Sequence, residues 1–217
     1  MKKEKNFCPN CQRSLGTRMS QRTIITDENI ISAINEFCDS PPEIFCSECG
    51  HELINQAKWK IQTEKEENQN IILDLLDSVI ILSSHLPLNW DYTSLSIVTA
   101  QTTTGTGVVA EIASGLTDFF GAQSGVFNKK IALGEKSCFS QLKKKTLDLG
   151  GNAIIAADID YSDIGASKGM IMVCMTGTAV KLHNPEIVSK SLQNNLNQLI
   201  KAHTRNKYLE SIENTAL

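Results

Sequence analysis

The chain of 217 residues has a formal net charge of −3, with 41% hydrophobic and 21% charged residues. These globular values exclude a wholly disordered or collagen-like protein, and the length allows one ordinary domain or two small ones. The charge is uneven, because residues 1–22 carry six basic residues against one acidic residue, while residues 23–93 are strongly acidic. The seven cysteines leave at least one unpaired in any disulfide scheme.

The N-terminus predicts no export signal. Residues 1–6 are polar and lead into a cysteine motif instead of the apolar stretch that a secretory signal needs. The most apolar window, residues 71–82, contains Asp74 and Asp77 and is shorter than the roughly 20 residues of a membrane span. We therefore expect a cytoplasmic protein without a membrane partner, in a reducing compartment where closely spaced cysteines favour metal binding over disulfides.

Two Cys-x-x-Cys pairs, Cys8 with Cys11 and Cys46 with Cys49, give the sharpest chemical signal. Two such pairs supply four soft thiolate ligands in a tetrahedron, which predicts a structural Zn²⁺ site. We expect Gly50 to adopt a positive φ after the second pair, as in a zinc ribbon. Because four protein ligands leave no position for water, the metal is expected to stabilise the fold and not to catalyse. Two reduced cysteine pairs without metal are the alternative.

The segment between the two pairs predicts a helix. The stretch Thr26-Asp27-Glu28-Asn29 offers a plausible N-cap. The apolar residues that follow, Ile30, Ile31, Ile34 and Phe37, recur at helical spacing. We predict that residues 1–52 form a zinc-ribbon-like module in which Cys38 is a packing residue. A basic tip beside an acidic body argues against a nucleic-acid partner, and a protein partner is the expectation.

The middle of the chain, residues 53–93, predicts a helical linker. Its last part places six apolar residues on one wide helical face, with Asp74, Asp77 and Ser78 opposite them. We expect that face to pack against the same chain, with a partner helix as the alternative. The six residues are Ile71, Ile72, Leu75, Leu76, Val79 and Ile80.

Residues 94–182 predict a compact α+β domain. β-Rich stretches at 95–104 and 108–112 are separated by glycines, and residues 131–149 have a helical pattern that stops at Gly150-Gly151. Two further strands are predicted at 153–161 and 170–182. Residues 183–217 predict a C-terminal helix and a tail whose last dozen polar residues fray.

Several short motifs follow one another in this half of the chain. In order they are Asp118-Phe119-Phe120-Gly121, Ser124-Gly125, Leu149-Gly150-Gly151-Asn152-Ala153-Ile154-Ile155, Asp158-Ile159-Asp160-Tyr161, Met172-Val173 and Gly177-Thr178-Ala179-Val180. This order resembles the YbjQ family, often labelled a heavy-metal-binding domain, over roughly residues 94–182. The resemblance implies a small α+β domain that assembles into pentameric rings and has no established catalytic activity.

Asp158 and Asp160 are the candidate cation ligands of this domain. In an extended strand they share one face, with Ile155, Ala157, Ile159 and Tyr161 on the other. The carboxylates can hold a hard cation, act as an acid/base pair, pair with a lysine such as Lys168, or bond across a subunit boundary. We expect a structural role, and Cys138 and Cys174 are expected to be packing residues.

The sequence as a whole predicts a non-enzymatic assembly or interaction protein. A YbjQ-like ring would present several zinc ribbons to a protein partner, and joint presentation would raise their effective affinity. The alternative is a metal-handling protein whose YbjQ-like domain itself binds a transition-metal ion.

Overall fold

The computed structural model describes residues 7–8, 10–13, 24–25, 27–38, 45–104, 124–163 and 170–216. Its contacts divide the chain into two compact units. The cysteine unit comprises Met1–Ile72 with Lys201–Leu217, and the sheet unit comprises Leu73–Ile200. The finer boundaries given above stay a prediction. The predicted strand at 108–112, the motif at 118–121 and Lys168 lie outside the described residues.

The cysteine unit is mainly helical. It contains strand β1 (Ile24–Ile25), helix α1 (Glu28–Phe37), strand β2 (Phe45–Cys46) and nearly all of helix α2 (Ser47–Leu75). The predicted start of α1 is confirmed, because the Asp27 carboxylate accepts hydrogen bonds from the amides of Asn29 and Ile30. β1 and β2 pair antiparallel, with Cys46 opposite Ile24.

Helix α4 (Lys190–Ala216) contributes its part from Lys201 onward to the cysteine unit. Its final turns were predicted to fray, and that prediction is wrong. Leu209 is fully buried and Ile212 is nearly so, in one apolar cluster with Cys8 and Cys46. The polar residues around them therefore belong to an amphipathic helix and not to a loose tail.

The sheet unit confirms the predicted α+β class. Strands β3 (Ile80–Ile81), β4 (Tyr92–Thr104), β5 (Ala153–Asp163) and β6 (Ile171–Leu182) lie in the order β3-β5-β6-β4, and helix α3 spans Ser124–Asp148. β6 pairs antiparallel with both long neighbours, and β3 pairs parallel with β5.

Helix α3 covers one face of the sheet. Cys138 and Leu142 are fully buried in a cluster with Val173 and Met175 of β6. At Gly134 the helix approaches the strand so closely that a Cβ atom would lie 2.6 Å from the Val173 Cγ2 atom. The opposite face is not covered by α3, and we call it the open face.

Two local predictions for this unit are wrong. The apolar residues of 71–80 do not form one helix, because α2 ends at Leu75, a 3-10 turn follows at Leu76–Ser78, and Ile80 enters β3. A β-bulge between Ile155 and Asp158, with a φ of 51° at Ala156, resets the alternation in β5. Ile155 therefore shares a face with Asp158 and Asp160 instead of opposing them.

Among the helices of the described residues, none combines the length and the apolarity that crossing a bilayer requires. The ion pairs Lys65–Glu213 and Arg205–Glu64 join α2 to α4.

Candidate metal centre

The four cysteines of the two Cys-x-x-Cys pairs come together. The sulfurs of Cys8, Cys11, Cys46 and Cys49 all lie within 4.8 Å of one another, and the described ranges contain no other cluster of three or more potential metal ligands. The sulfurs of Cys11 and Cys46 are 3.8 Å apart. A tetrahedron of thiolates about 2.3 Å from a central Zn²⁺ has edges of about 3.8 Å. The donor set and its spacing therefore fit a four-thiolate metal site.

The first pair is held by a tight turn. The Gln12 amide donates to the Cys8 carbonyl at 2.8 Å, and the Cys8 amide donates to the Arg13 carbonyl at 2.8 Å. Gln12 has a φ of 58°, in the left-handed region that such a turn requires. These bonds turn the chain back so that Cys8 and Cys11 face the same point.

The second pair is held differently from what the sequence predicts. Cys46 ends β2 and Cys49 lies in the first turn of α2, so Gly50 is a buried helical residue without a positive φ. The prediction for Gly50 is wrong, because the helix begins inside the motif. The N-terminal end of a helix favours a thiolate, since its unpaired N–H groups carry partial positive charge.

Hydrogen bonding makes the thiols unequal. Burial disfavours the Cys8 thiolate, but backbone N–H groups of Cys11, Cys46 and Asn10 donate to its sulfur and lower its pKa to about 6. Burial raises the pKa of the Cys49 thiol to about 12, against a hydrogen bond from the Asn10 side chain. A metal ion would therefore find a thiolate ready at Cys8 and would have to displace the proton of Cys49.

Two residues near the centre were not found from the sequence. The Asn10 side chain bonds Cys49, and Arg13 pairs with Glu48 at 2.8 Å between the two cysteine pairs. Asn10 lies inside the first Cys-x-x-Cys motif and Arg13 lies just after it. This position near the cysteines is the only feature of the sequence that could have indicated a role for them. Cys38 is buried in the same cluster, where its thiol donates to the Leu53 carbonyl at 3.7 Å, in keeping with a packing role.

The second candidate group lies on the open face of the sheet. Asp158 is opposite Thr176, and Asp160 is opposite Cys174, so the two carboxylates do share one face. Both carboxylates are exposed and Cys174 is half-buried. Cys174 is thus not a core residue as predicted, whereas Cys138 is, since it is fully buried and its thiol donates to the Val173 carbonyl.

Residues 88–183 match a protein family described as "Putative heavy-metal-binding", the YbjQ family. A UPF0145 protein of Listeria grayi is 38% identical over 84 residues, which are 39% of this chain and 79% of that protein. The chain belongs to this family. A UPF0145 protein of Clostridium botulinum is 31% identical over 84 residues, covering 39% of this chain and 79% of that protein.

A solved structure matches about half of the chain. It is a crystal structure of a Pediococcus pentosaceus protein of unknown function from the DUF74 family, with a TM-score of 0.33 and 17% identity, covering 48% of this chain and 97% of that one.

The match to the YbjQ family begins at residue 88 and ends at residue 183. The four clustered cysteines therefore lie outside the region that the family describes.

The YbjQ motifs of this chain are explained by folding. Gly150 has a φ of 80°, and a Cβ atom on Gly151 would lie 2.9 Å from the Val180 carbonyl oxygen. The buried Asn152 side chain accepts from the Leu182 amide at 2.6 Å and donates to its carbonyl at 2.9 Å. A Cβ atom on Gly177 would lie 2.5 Å from Ile154 Cγ2. These residues fix the sheet and its joint with α3, and Ser124-Gly125 begin α3.

Proposed function

We propose that this protein is a cytoplasmic, non-enzymatic zinc-binding assembly protein. The observation that carries the proposal is the cluster of four cysteine sulfurs within 4.8 Å of one another. Four thiolates occupy all the positions of a tetrahedral ion, so such a site contributes folding energy and leaves no open position for a reacting water. We therefore assign the centre to structure and not to catalysis.

Zinc is the proposed ion because four thiolates in a tetrahedron suit Zn²⁺ and iron–sulfur clusters above all other centres. Elemental analysis of the purified protein should find about one Zn per chain, as a single four-thiolate site requires. The double variant Cys46→Ser/Cys49→Ser should lose it, and Cys138→Ser is the matched control that should retain it. Iron in place of zinc, or zinc retained by the double variant, would overturn the assignment.

The proposed assembly is a homo-oligomeric ring built by the YbjQ-like domain, a pentamer by family resemblance. A ring would carry several copies of the cysteine unit, and several weak contacts made together bind more tightly than one. Light scattering at micromolar concentration should give about five times the chain mass of 23.9 kDa. A monodisperse monomer would contradict the assembly.

The proposed partner of the cysteine unit is a protein. Affinity capture with the intact protein and with the Cys46→Ser/Cys49→Ser variant should recover it with the former only. Capture that is equal for both would place the contact elsewhere, and recovery of nucleic acid in place of protein would contradict the proposed class of partner.

A second candidate function is metal handling by the sheet unit. Two observations favour it: the family description, and the register that sets Asp160 beside Cys174 on the open face. The Cys46→Ser/Cys49→Ser variant separates the two candidates, because a metal-handling sheet unit should still bind a transition-metal ion. That residual binding should then fall in a further variant with Asp158→Asn and Asp160→Asn.

A further inference from the structure

The four cysteines of the metal centre differ in their access to solvent. Cys8 and Cys46 are fully buried and Cys49 is nearly so, whereas Cys11 is half-buried. The residues on both sides of Cys11 are exposed. Because oxidation of a cysteine follows its exposure and its thiolate character, a small polar oxidant that arrives from solvent meets Cys11 before the other three.

Hydrogen bonds to sulfur point to the same residue. The Cys46 amide donates to the Cys8 sulfur at 3.5 Å, and the backbone N–H groups of Cys11 and Asn10 donate to it as well. The Asn10 side chain bonds the Cys49 sulfur. A thiolate whose charge is stabilised in this way is a weaker nucleophile. Cys8 and Cys49 are therefore both shielded from solvent and less reactive toward an oxidant that reaches them.

A second sulfur lies within reach of Cys11. The sulfurs of Cys11 and Cys46 are 3.8 Å apart, and a disulfide bond is about 2.0 Å long. Closing the bond needs a shift of about 2 Å, which the exposed turn that carries Cys11 can supply while Cys46 stays in β2. A sulfenic acid beside another thiolate condenses with it to a disulfide. The pair therefore has the geometry of an oxidised cysteine and its resolving partner.

We propose that Cys11 is a modification site for hydroperoxides, at which oxidation leads to a disulfide bond with Cys46. The Cys11 thiolate attacks one oxygen of hydrogen peroxide, the O–O bond breaks, and Cys11 becomes a sulfenic acid while hydroxide leaves. The Cys46 thiolate then attacks the Cys11 sulfur, the S–O bond breaks, and a second hydroxide leaves. Two protons from solvent convert both hydroxides to water. The two sulfurs together lose two electrons, which the peroxide gains.

The disulfide changes the metal centre and the core around it. It removes two of the four thiolates, and a structural zinc site needs four protein ligands. Cys46 shares one apolar cluster with Leu209 and Ile212 of α4, so loss of the metal also weakens the packing of that helix. A dithiol reductant restores both thiolates. Oxidation at Cys11 thereby controls whether the cysteine unit holds its metal.

This inference rests on the proposed zinc site, and peroxide treatment of the zinc-loaded full chain tests it. A chelating dye should report the release of about one zinc ion per chain. Peptide mass spectrometry should find a disulfide between Cys11 and Cys46. Dithiothreitol followed by added zinc should restore the bound metal.

The variant Cys11→His separates oxidation from metal binding. It keeps four ligands of a kind found in structural zinc sites and removes the accessible sulfur. Its zinc release in peroxide should be at least about tenfold slower than that of wild type. Cys174→Ser is the matched control, because it removes the other half-buried thiol of the chain, and its zinc release should equal that of wild type.

The outcomes separate the two proposals. A wild-type protein that binds no zinc overturns the zinc assignment and the ground of this inference with it. A protein that keeps its zinc in peroxide, or loses it with a disulfide between any other two cysteines, overturns this inference and leaves the zinc site standing. Zinc release from Cys11→His at the wild-type rate does the same. If that variant binds no zinc, the disulfide mapped in wild type decides.

Discussion

The cysteine unit and the sheet unit are each stabilised by a different kind of core. The core of the cysteine unit is built around sulfur atoms, with Cys8 and Cys46 fully buried beside Ile34, Phe45 and Leu209. The core under α3 in the sheet unit is mainly aliphatic, with Cys138 and Met175 as its sulfur-containing members, and it extends across α3, β4, β5 and β6. The core of the cysteine unit therefore contains the four sulfurs that could bind a metal ion, whereas the core of the sheet unit is formed by packed apolar side chains. Among the described residues, the part of the chain that matches the family contains no cluster of three or more potential metal ligands.

Polar contacts sharpen the same contrast. In the cysteine unit, the Arg205 guanidinium binds Glu64 through Nε at 2.7 Å and Nη2 at 3.0 Å, and Glu36 through Nη1 at 2.8 Å. It also lies 5.7 Å and 5.1 Å from the ring centres of Phe37 and Tyr208. One side chain thus joins α1, α2 and α4. In the sheet unit, the corresponding polar contact is the pair of hydrogen bonds between the Asn152 side chain and the Leu182 backbone. These bonds continue the hydrogen bonding of the sheet beyond its strands.

Removal of the metal ligands should have the largest effect and should break only the first unit. A bound zinc in such a site contributes on the order of 10 kcal/mol to folding, and Cys46→Ser/Cys49→Ser forfeits it. Hydrogen exchange followed by mass spectrometry should show α1 and the first half of α2 losing protection while β5 and β6 keep theirs. Equal loss in both units would mean that the contrast between them is wrong.

Asn152→Ala should be the most damaging single change in the sheet unit. It leaves the buried N–H and C=O groups of Leu182 without partners, which costs about 3 kcal/mol of unfolding free energy. Urea unfolding followed by the fluorescence of Trp90, with Trp59 replaced by Phe, measures this effect. Asn70→Ala, an exposed position on α2, is the control and should change stability by less than about 0.5 kcal/mol. Equal effects would contradict the assigned role of Asn152.

Arg205→Met should destabilise the cysteine unit by about 2 kcal/mol, because it leaves the partly buried Glu36 and Glu64 without their cation and removes both ring contacts. The pairs are about one third exposed, so solvent weakens them and the loss stays below that of a buried ion pair. The same change should leave the Trp90 transition of the sheet unit in place. A shift of that transition instead would show that Arg205 acts beyond its own unit.

The smallest expected effect is on the pH dependence of stability, through the carboxylate of Glu36. Burial works against ionisation of Glu36, but hydrogen bonds from Tyr208 and Arg205 prevail and lower its pKa below the usual 4.5. Because the folded pKa lies below the unfolded one, the ionised carboxylate stabilises the unit above pH 4.5, and this stability is lost as the pH falls through the folded value. Glu36→Gln should therefore be less stable than wild type by about 1 kcal/mol at pH 7, with a narrowing gap toward acid. A gap that is constant with pH would contradict this.

The sequence predicts the sheet unit well because its signals are local. β-Branched residues indicate β5 and β6 nearly to their ends, and Gly150 ends α3 where expected. The bulge at Ala156 was not predictable, because alternation in the sequence continues through it and only pairing with β6 shows the extra residue. The cysteine cluster was likewise predicted from spacing, whereas the helical start of its second pair was not.

The cysteine unit was less predictable because its helices are stabilised by distant residues. The polar segment of residues 62–70 has no apolar stripe, yet it is helical, and its Glu64 and Lys65 pair with Arg205 and Glu213 of α4. These partners are 141 and 148 residues away in sequence. The sequence near either residue contains no pattern that predicts ion pairs over such distances. The wrong prediction of a frayed C-terminus has the same cause, since Leu209 finds its apolar surroundings only in the folded unit.

The burial of Leu209 beside Cys8 has a consequence for synthesis on the ribosome. The cysteines emerge first, but the cluster that surrounds them includes residues made about 200 positions later, and contacts so distant in sequence form slowly. The whole sheet unit is translated in between. Cys8 therefore lacks its contacts with Leu209 and Ile212 until α4 has been translated. Metal bound during that interval would hold the cysteines together before α4 packs on them.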